Sequence, residues 1–428
     1  MTQVIADPTP PIIRRNTILI ALAQVFSGAG SGFLFSLGPL MVIALTGSAA
    51  LAGASVALQG LSRFVAAYPF GRITDQLGRK PGLLVGLAIT LVGSLAIGAA
   101  MNAGSFAGWV VGVMIFGIGS NGIQQLRLAA AEMYPPHRRA FMIGVVLTGS
   151  LAGIVLSPSI VAVGETLAPR LAMDRLAVPW LIGPVLILPS IALLGRLRPD
   201  PREIAADLAR YYPSYVPNEA ESADPVSFGL RRYLADPDRR VAALSMFAAQ
   251  GSMQIAMVSA PLALTHHVAA LASVALSMSI HTAGMFGPSI PVGRIADAIG
   301  RRAVLIGGTI VEAVGGAIAV TAGDQLGITA GIFLVGVGWC GANVASTAIV
   351  VDTTPVAVRG RAVGLTDTIA AVAGVAFPIV AGPMIELWGI RSSGALAVAL
   401  LVPPAALLLL PAFRPARSSG ALARRSEA

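Results

Sequence analysis

Charged side chains are scarce in this sequence: Asp, Glu, Lys and Arg make up 11% of its 428 residues, where ordinary globular chains carry ~25%. Apolar residues take their place at 55%, with a mean hydropathy of +0.80, so a soluble domain is excluded. Cysteine occurs once, at Cys340, which rules out an intramolecular disulfide framework and any CxxC metal or redox pair. The phosphate-cradling GxxxxGK[ST] motif is missing, so ATP is not the expected energy source, and neither HExxH nor a nucleophile elbow occurs. His266 and His267 adjoin, but neighbouring residues point to different sides and make a poor chelate. No catalytic residue and no cofactor are expected.

What the chain does have is long apolar segments. Those long enough to cross a bilayer, which takes ~20 residues of helix, fall at 17–45, 50–69, 82–101, 107–132, 141–163 and 178–195, and again at 241–262, 268–290, 303–322, 327–350, 362–384 and 392–411. They are too long and too uniformly apolar for barrel strands, and every amide in hydrocarbon needs a partner within its own segment, so helices are the remaining form. Most of the 48 glycines lie inside these segments, where they let helices approach closely.

The cations are distributed with a strong bias. Of 29 Lys and Arg, Arg170, Arg175 and Arg391 fall in odd-numbered loops, Arg63 and Arg127 lie within helices, and the other 24 sit in the tails or the even-numbered loops. The positive-inside rule puts both termini in the cytoplasm, in a bacterial-type inner membrane or an intracellular membrane derived from it. The net charge of +9 is therefore a topology signal, and no nucleic-acid partner is expected. The partners expected are the lipid bilayer and a small-molecule or ion substrate, with the chain working as a monomer. Its start, MTQVIADPTPPIIRR, does not fit a cleavable signal.

The apolar pattern breaks most sharply at GRITDQLGRK, Gly71 to Lys80, and this stretch returns once, in the second half of the chain, as GRIADAIGRR, Gly293 to Arg302. Independently, Glu132-Met-Tyr-Pro135 with Arg139 and Gly144 is echoed by Asp352-Thr-Thr-Pro355 with Arg359 and Gly364, all four landmarks keeping one common offset. No shorter repeat recurs, so one doubling of the chain is the reading. Gly71 and Gly78 permit a tight reversal, Asp75 is an anion held at a membrane face, and Arg72, Arg79 and Lys80 anchor the turn to headgroups.

This pattern resembles the loop between the second and third helices of major facilitator superfamily transporters, and the resemblance covers almost the whole chain. It implies an all-α integral membrane protein of twelve helices in two pseudo-symmetric six-helix bundles: a tail at 1–16, a first bundle at 17–195, a cytoplasmic connector at 196–240, a second bundle at 241–411 and a basic tail at 412–428. The bundles would rock about a midplane site. It further implies that Asp75 approaches the N-terminus of a helix in the opposite half, where free amides and the helix dipole favour an anion, and that Glu132 and Arg139 join the relay with Gly78, Arg79 and Lys80. Gly293, Asp297, Gly300, Arg301, Asp352 and Arg359 form the second-half set. The alternative is a solvated set of charges that only holds topology. Helix 5, with Gly144, Gly149, Gly153 and Pro158, is similar to the family's antiporter motif but lacks its GP and GG pairs. Helix 4 lacks the arginine expected near its outer half.

Polar groups inside the spans are the candidates for substrate or proton coupling, because intramembrane ionisable groups usually face a cavity. These are His281, Asp367, Glu312, Gln250, Gln254 and Arg127. For Arg63 and Arg127, about two turns inside the membrane, snorkelling competes with a gating or substrate role; for the glycines of the first helix, close packing competes with a substrate path. Met278, His281 and Met285 share a helical face, and with Met253 and Met257 they offer imidazole and thioether to a transition metal such as iron. Methionine is also common core filler. Within the connector, REIAADLARYY has the pattern of a short amphipathic helix on the membrane surface, set against the plainer reading of a linker with ion-pair decoration and no role in transport. The function expected is secondary active transport of a small solute, a drug or metabolite coupled to protons by default, with metal transport as the alternative. A channel or static membrane protein would not need gating motifs in both halves.

Overall fold

The computed structural model describes residues 8–135, 138, 142, 145, 146, 149, 151, 153–215, 229–267, 270–354 and 359–409, with the backbone alone at 29–31, 63, 67–75, 121, 124, 154, 155 and 359–361. Among these residues there is helix and no strand. The first bundle holds α1 (Pro11–Thr46), α2 (Ala54–Leu77), α3 (Arg79–Asn102), α4 (Phe106–Glu132), α5 (described from Gly153 to Leu171) and α6 (Val178–Gly195, in two pieces, Val178–Ile182 and Pro184–Gly195). The second holds α7 (Pro237–Thr265), α8 (Leu271–Phe286), α9 (Arg301–Thr321), α10 (Gln325–Asp352), α11 (Arg359–Trp388) and α12 (Ile390–Leu409). Ten of the twelve are long and apolar enough to span a membrane among the described residues. The exceptions are α5, which begins outside them, and α8, which breaks at Gly287-Pro288 and resumes as a separate helix, Ser289–Ile299. Proline there has no N–H to give and its ring clashes with the turn below.

Several boundaries differ from the sequence reading for local reasons. The apparent loop between α2 and α3 is a helix end: Gly71 lies within α2, and the whole reversal is made at Gly78, with φ 101. Its counterpart Gly300, with φ 98, reverses the second half in the same way. Only glycine takes this backbone without strain. α1 runs for 36 residues, ~54 Å at 1.5 Å per residue, so it projects beyond the ~30 Å hydrocarbon layer. Its first turns, expected in the tail, pack instead beneath the connector.

That connector is not a helix lying on lipid. It forms two short helices, Pro201–Ala206 and Leu208–Tyr211, broken at Asp207. Ile204, Leu208 and Tyr212 are buried in one cluster with Ile13, Leu83, Leu126 and Tyr134. The spacing of apolar residues that suggested a membrane-surface helix serves to dock the segment on the first bundle.

Each bundle is tightened by glycine. α3 and α4 meet where a Cβ at Gly119 would fall 2.3 Å from the Thr90 amide, and α9 and α10 meet where one at Gly338 would fall 2.4 Å from the Glu312 amide. In α1, Gly32 packs against Ser157 of α5 and Gly38 against Ser55 of α2, which is the close-packing role weighed for that helix. Trp180, Phe33 and Phe116 close the far end of the first bundle, edge to face at 5.8 and 5.3 Å between centroids. We call the end with Gly78 and Gly300 the basic face and the opposite end the far face.

Candidate functional site

The recurring motif assembles into an ion-pair brace in each half. Arg79 Nε and Nη2 donate to Glu132 Oε2 and Oε1, both at 2.7 Å; two parallel bonds of this kind fix direction as well as distance. In the second half Arg301 stands 3.3 Å from Asp352 and also meets Asp297, four residues back on the helix before the reversal. The braces therefore tie the start of α3 to the end of α4, and the start of α9 to the end of α10. Gly71, Asp75 and Arg359 are described by backbone alone, and Arg139 lies outside the described residues. Arg239, unremarked in the sequence, is buried and donates to the carbonyls of Tyr233 and Thr353, binding the start of α7 to the end of α10. Thr17, at the matching place in the first half, joins α1 to Tyr134 just past α4 through a 2.8 Å bond. Burial raises the pKa of Tyr134 above that of a free phenol, with Thr17 and Arg138 opposing it.

Asp200, which sequence reasoning passed over, has no counterpart in the second half. Its carboxylate accepts from the Arg79 and Lys80 amides at 3.1 and 2.8 Å and from the Arg202 amide at 2.8 Å. One side chain thus caps its own short helix and α3, which has no cap of its own. Lys80 Nζ donates to the carbonyls of Gly195 and Leu197, so the connector is strapped to the reversal from both sides. The available signal was the Asp-Pro pair at 200–201, an N-cap signature.

Deeper polar groups divide between the helix interfaces and the space between the bundles. His281 is 1% exposed, and its Nδ1–H donates to the Ile332 carbonyl of α10 at 2.6 Å. It sits in the α8–α10 interface, with its Nε2 buried and without a partner. Glu312 is fully enclosed, turned inward against Gly338 of α10 and opposite Ser252 of α7. The methionines do not converge: Met257 and Met278 belong to one apolar cluster, Met253 and Met285 to another. Among the described residues no three His, Cys, Asp or Glu side chains come together as a metal site. The core-filler role accounts for the methionine pattern.

Arg127 and Asp367 behave differently. Both are exposed within their helices, one on α4 and the other on α11, so each bundle carries one charge at depth. Nearby, Trp339 Nε1 donates to Gln250 Oε1 at 2.9 Å. Gln250 and Gln254 both approach Gly374 of α11, whose carbonyl lies against Gly60 of α2. Gln254 Oε1, Gln125 Oε1 and Gln59 Nε2 are buried polar atoms without a partner.

A family model for the Major Facilitator Superfamily matches residues 20–222 and 242–427. The chain belongs to this superfamily. Two uncharacterized MFS-type transporters of Bacillus subtilis (strain 168) are similar to it: YddS, 29% identical over 92% of this chain and 90% of its own, and YdeG, 27% identical over 94% and 91%. The riboflavin transporter RfnT of Brucella anthropi is 24% identical over 96% of this chain and 98% of its own. Two solved structures share the fold. The inward-open xylose transporter XylE from E. coli superposes with a TM-score of 0.67 at 16% identity, over 92% of this chain and 95% of that one. A D-xylose–proton symporter gives 0.69 at 16%, over 92% and 97%. The superfamily's fold is twelve helices in two bundles, and the protein is a multi-pass secondary transporter.

Proposed function

We propose that this transporter moves a small, largely uncharged organic solute rich in hydrogen-bonding groups, a metabolite or drug, by alternating access coupled to protons. The observation that carries the reading is an exposed charge at depth on each bundle, Arg127 on α4 and Asp367 on α11. Attraction between opposite charges on the two bundles changes as the bundles rock, and that links any change in the charge of Asp367 to the conformational cycle. The glutamines at depth supply the other half of the argument. Unpartnered amide groups in a low-dielectric interior are costly, and a neutral solute with donors and acceptors would satisfy them. Riboflavin, the solute in the name of one relative, has that character.

In this reading the basic face lies in the cytoplasm of a bacterial-type inner membrane, an orientation supported by the bias of its cations, with Asp75 and Asp297 as gate residues on that side. Iron has no support in the geometry of His281 and the methionines. The test is uptake and exchange in proteoliposomes against a solute panel including riboflavin, with and without a pH gradient. Asp367→Asn is expected to abolish gradient-driven accumulation while solute exchange persists. Transport by the parent that ignores a collapsed gradient would remove proton coupling from the reading.

A further inference from the structure

The contacts between bundles gather at the far face, and two of them are the same contact made twice. Glu165 on α5 accepts from the Leu271 and Ala272 amides at 2.7 and 3.0 Å. These are the first amides of α8, in the other half, and α8 has no side-chain cap of its own. Glu386 on α11 accepts from the Ala50 amide and the Ser48 hydroxyl, each at 2.6 Å, in the turn that leads into α2. Glu165 and Glu386 stand at equivalent places in the two halves, and so do Ala50 and Ala272, the two offsets agreeing to within one position. The duplication therefore relates both partners of one contact to both partners of the other. Beneath each contact lies an apolar seal. Leu271 and Ala275 enter the cluster of Phe33, Trp109 and Val161, while a Cβ on Gly53 would collide with the Pro378 carbonyl and one on Gly382 with that of Ala50.

We propose that Glu165 and Glu386 are a two-fold carboxylate latch that holds the far face shut. Each places an anion from one bundle on backbone N–H groups of the other, at α8 on the free amides of a helix start where the dipole also favours it, and at Ala50 on a turn amide with the Ser48 hydroxyl beside it. Opening the far face separates the bundles there, so both contacts break together and the uncapped ends turn to water. The carboxylates thus set the balance between the two access states, and they do so without touching solute. The inference rests on alternating access, and its readout is solvent access at each face, which needs neither a known substrate nor transport.

The test uses the full chain in proteoliposomes with Cys340→Ser, and one reporter cysteine at either Ala275→Cys, inside the far-face seal, or Gly364→Cys, in open space on the basic-face end of α11. Reporters are labelled with a membrane-impermeant maleimide. Glu165→Gln or Glu386→Gln alone should raise labelling at position 275 by about two- to fivefold, the range for losing a charge at a helix N-terminus. The double variant should multiply these effects, and labelling at 364 should fall in step. Glu165→Ala with Glu386→Ala, which also removes the acceptors, should move both reporters further in the same directions. A merely structural role loosens the protein and raises labelling at both positions. That result, or no change at 275, overturns the latch.

Discussion

Replacing Asp200 by alanine would uncap two helices at once, and the size of the loss follows from the geometry. Its Oδ1 accepts from the Arg79 and Arg202 amides and its Oδ2 from the Lys80 amide. Losing an acidic N-cap costs ~0.5–2 kcal/mol, so two ends together come to ~1–4 kcal/mol if independent. Taking ~2 kcal/mol, and ~2–4 °C per kcal/mol for a unit of 150–250 residues, the apparent melting temperature of the purified protein should fall by ~4–8 °C. Asp200→Asn should lie between parent and alanine, because one amide oxygen can keep the two bonds of Oδ1 while its NH₂ faces the Lys80 amide. The assay is intrinsic tryptophan fluorescence during heating in detergent. An unshifted alanine variant, or an asparagine variant as damaged as alanine, would refute the view that the connector stabilises the reversal.

Gly78→Ala should be more damaging than Gly300→Ala in the same assay. Both bear the strain of positive φ, ~1–3 kcal/mol, but only at Gly78 would the new Cβ meet a neighbour, Asp200 Oδ2 at 2.9 Å, whereas Gly300 faces open space; equal losses would argue against that contact. Gly338→Ala should lower stability by ~1–3 kcal/mol, as overpacking does, since α9 would have to move away from the new methyl. Gly364→Ala, with nothing within 4 Å, is its control, and equal melting of the two would contradict the close approach of α9 and α10.

The duplicated motif made much of the basic face legible in the sequence. Glycine before a cation at 78–79 and 300–301, and an acid at 132 and 352, are local signals, and they became a reversal and an ion pair in each half. Asp200 was not legible in the same way, because its partners on α3 are remote in sequence and an N-cap signature says nothing about a second helix. The place of His281 in a helix interface is not legible for a related reason. A helix inside an apolar bundle has lipid, a neighbour or a cavity on each side, and side-chain spacing cannot tell these apart when all three are lined by apolar residues. Arg127 and Asp367 were found because charge at depth is costly wherever it points. Glu165 and Glu386 were overlooked although a signal was present, since each is an acid that recurs in the other half as the gating motifs do.

Acids meet amides or arginine at both ends of the molecule, yet the two ends make these contacts between different bodies. At the basic face Glu132, Asp352 and Asp200 join helices of one half, while at the far face Glu165 and Glu386 join one half to the other. A contact inside a body that moves as a unit must survive every cycle, and the bidentate, largely buried Arg79–Glu132 pair suits that, because removing one partner would leave a charge out of water. A contact between the bodies must break in every cycle, so it has to cost little when broken. Glu386 meets that demand by lying exposed, and Glu165 by being only half-buried, so that water takes over the carboxylate as each contact opens. Exchanging the two arrangements would soften the bundles and weld them together. Between the Arg79–Glu132 pair and the two far-face contacts, the difference in exposure therefore matches what each must do in a cycle of alternating access.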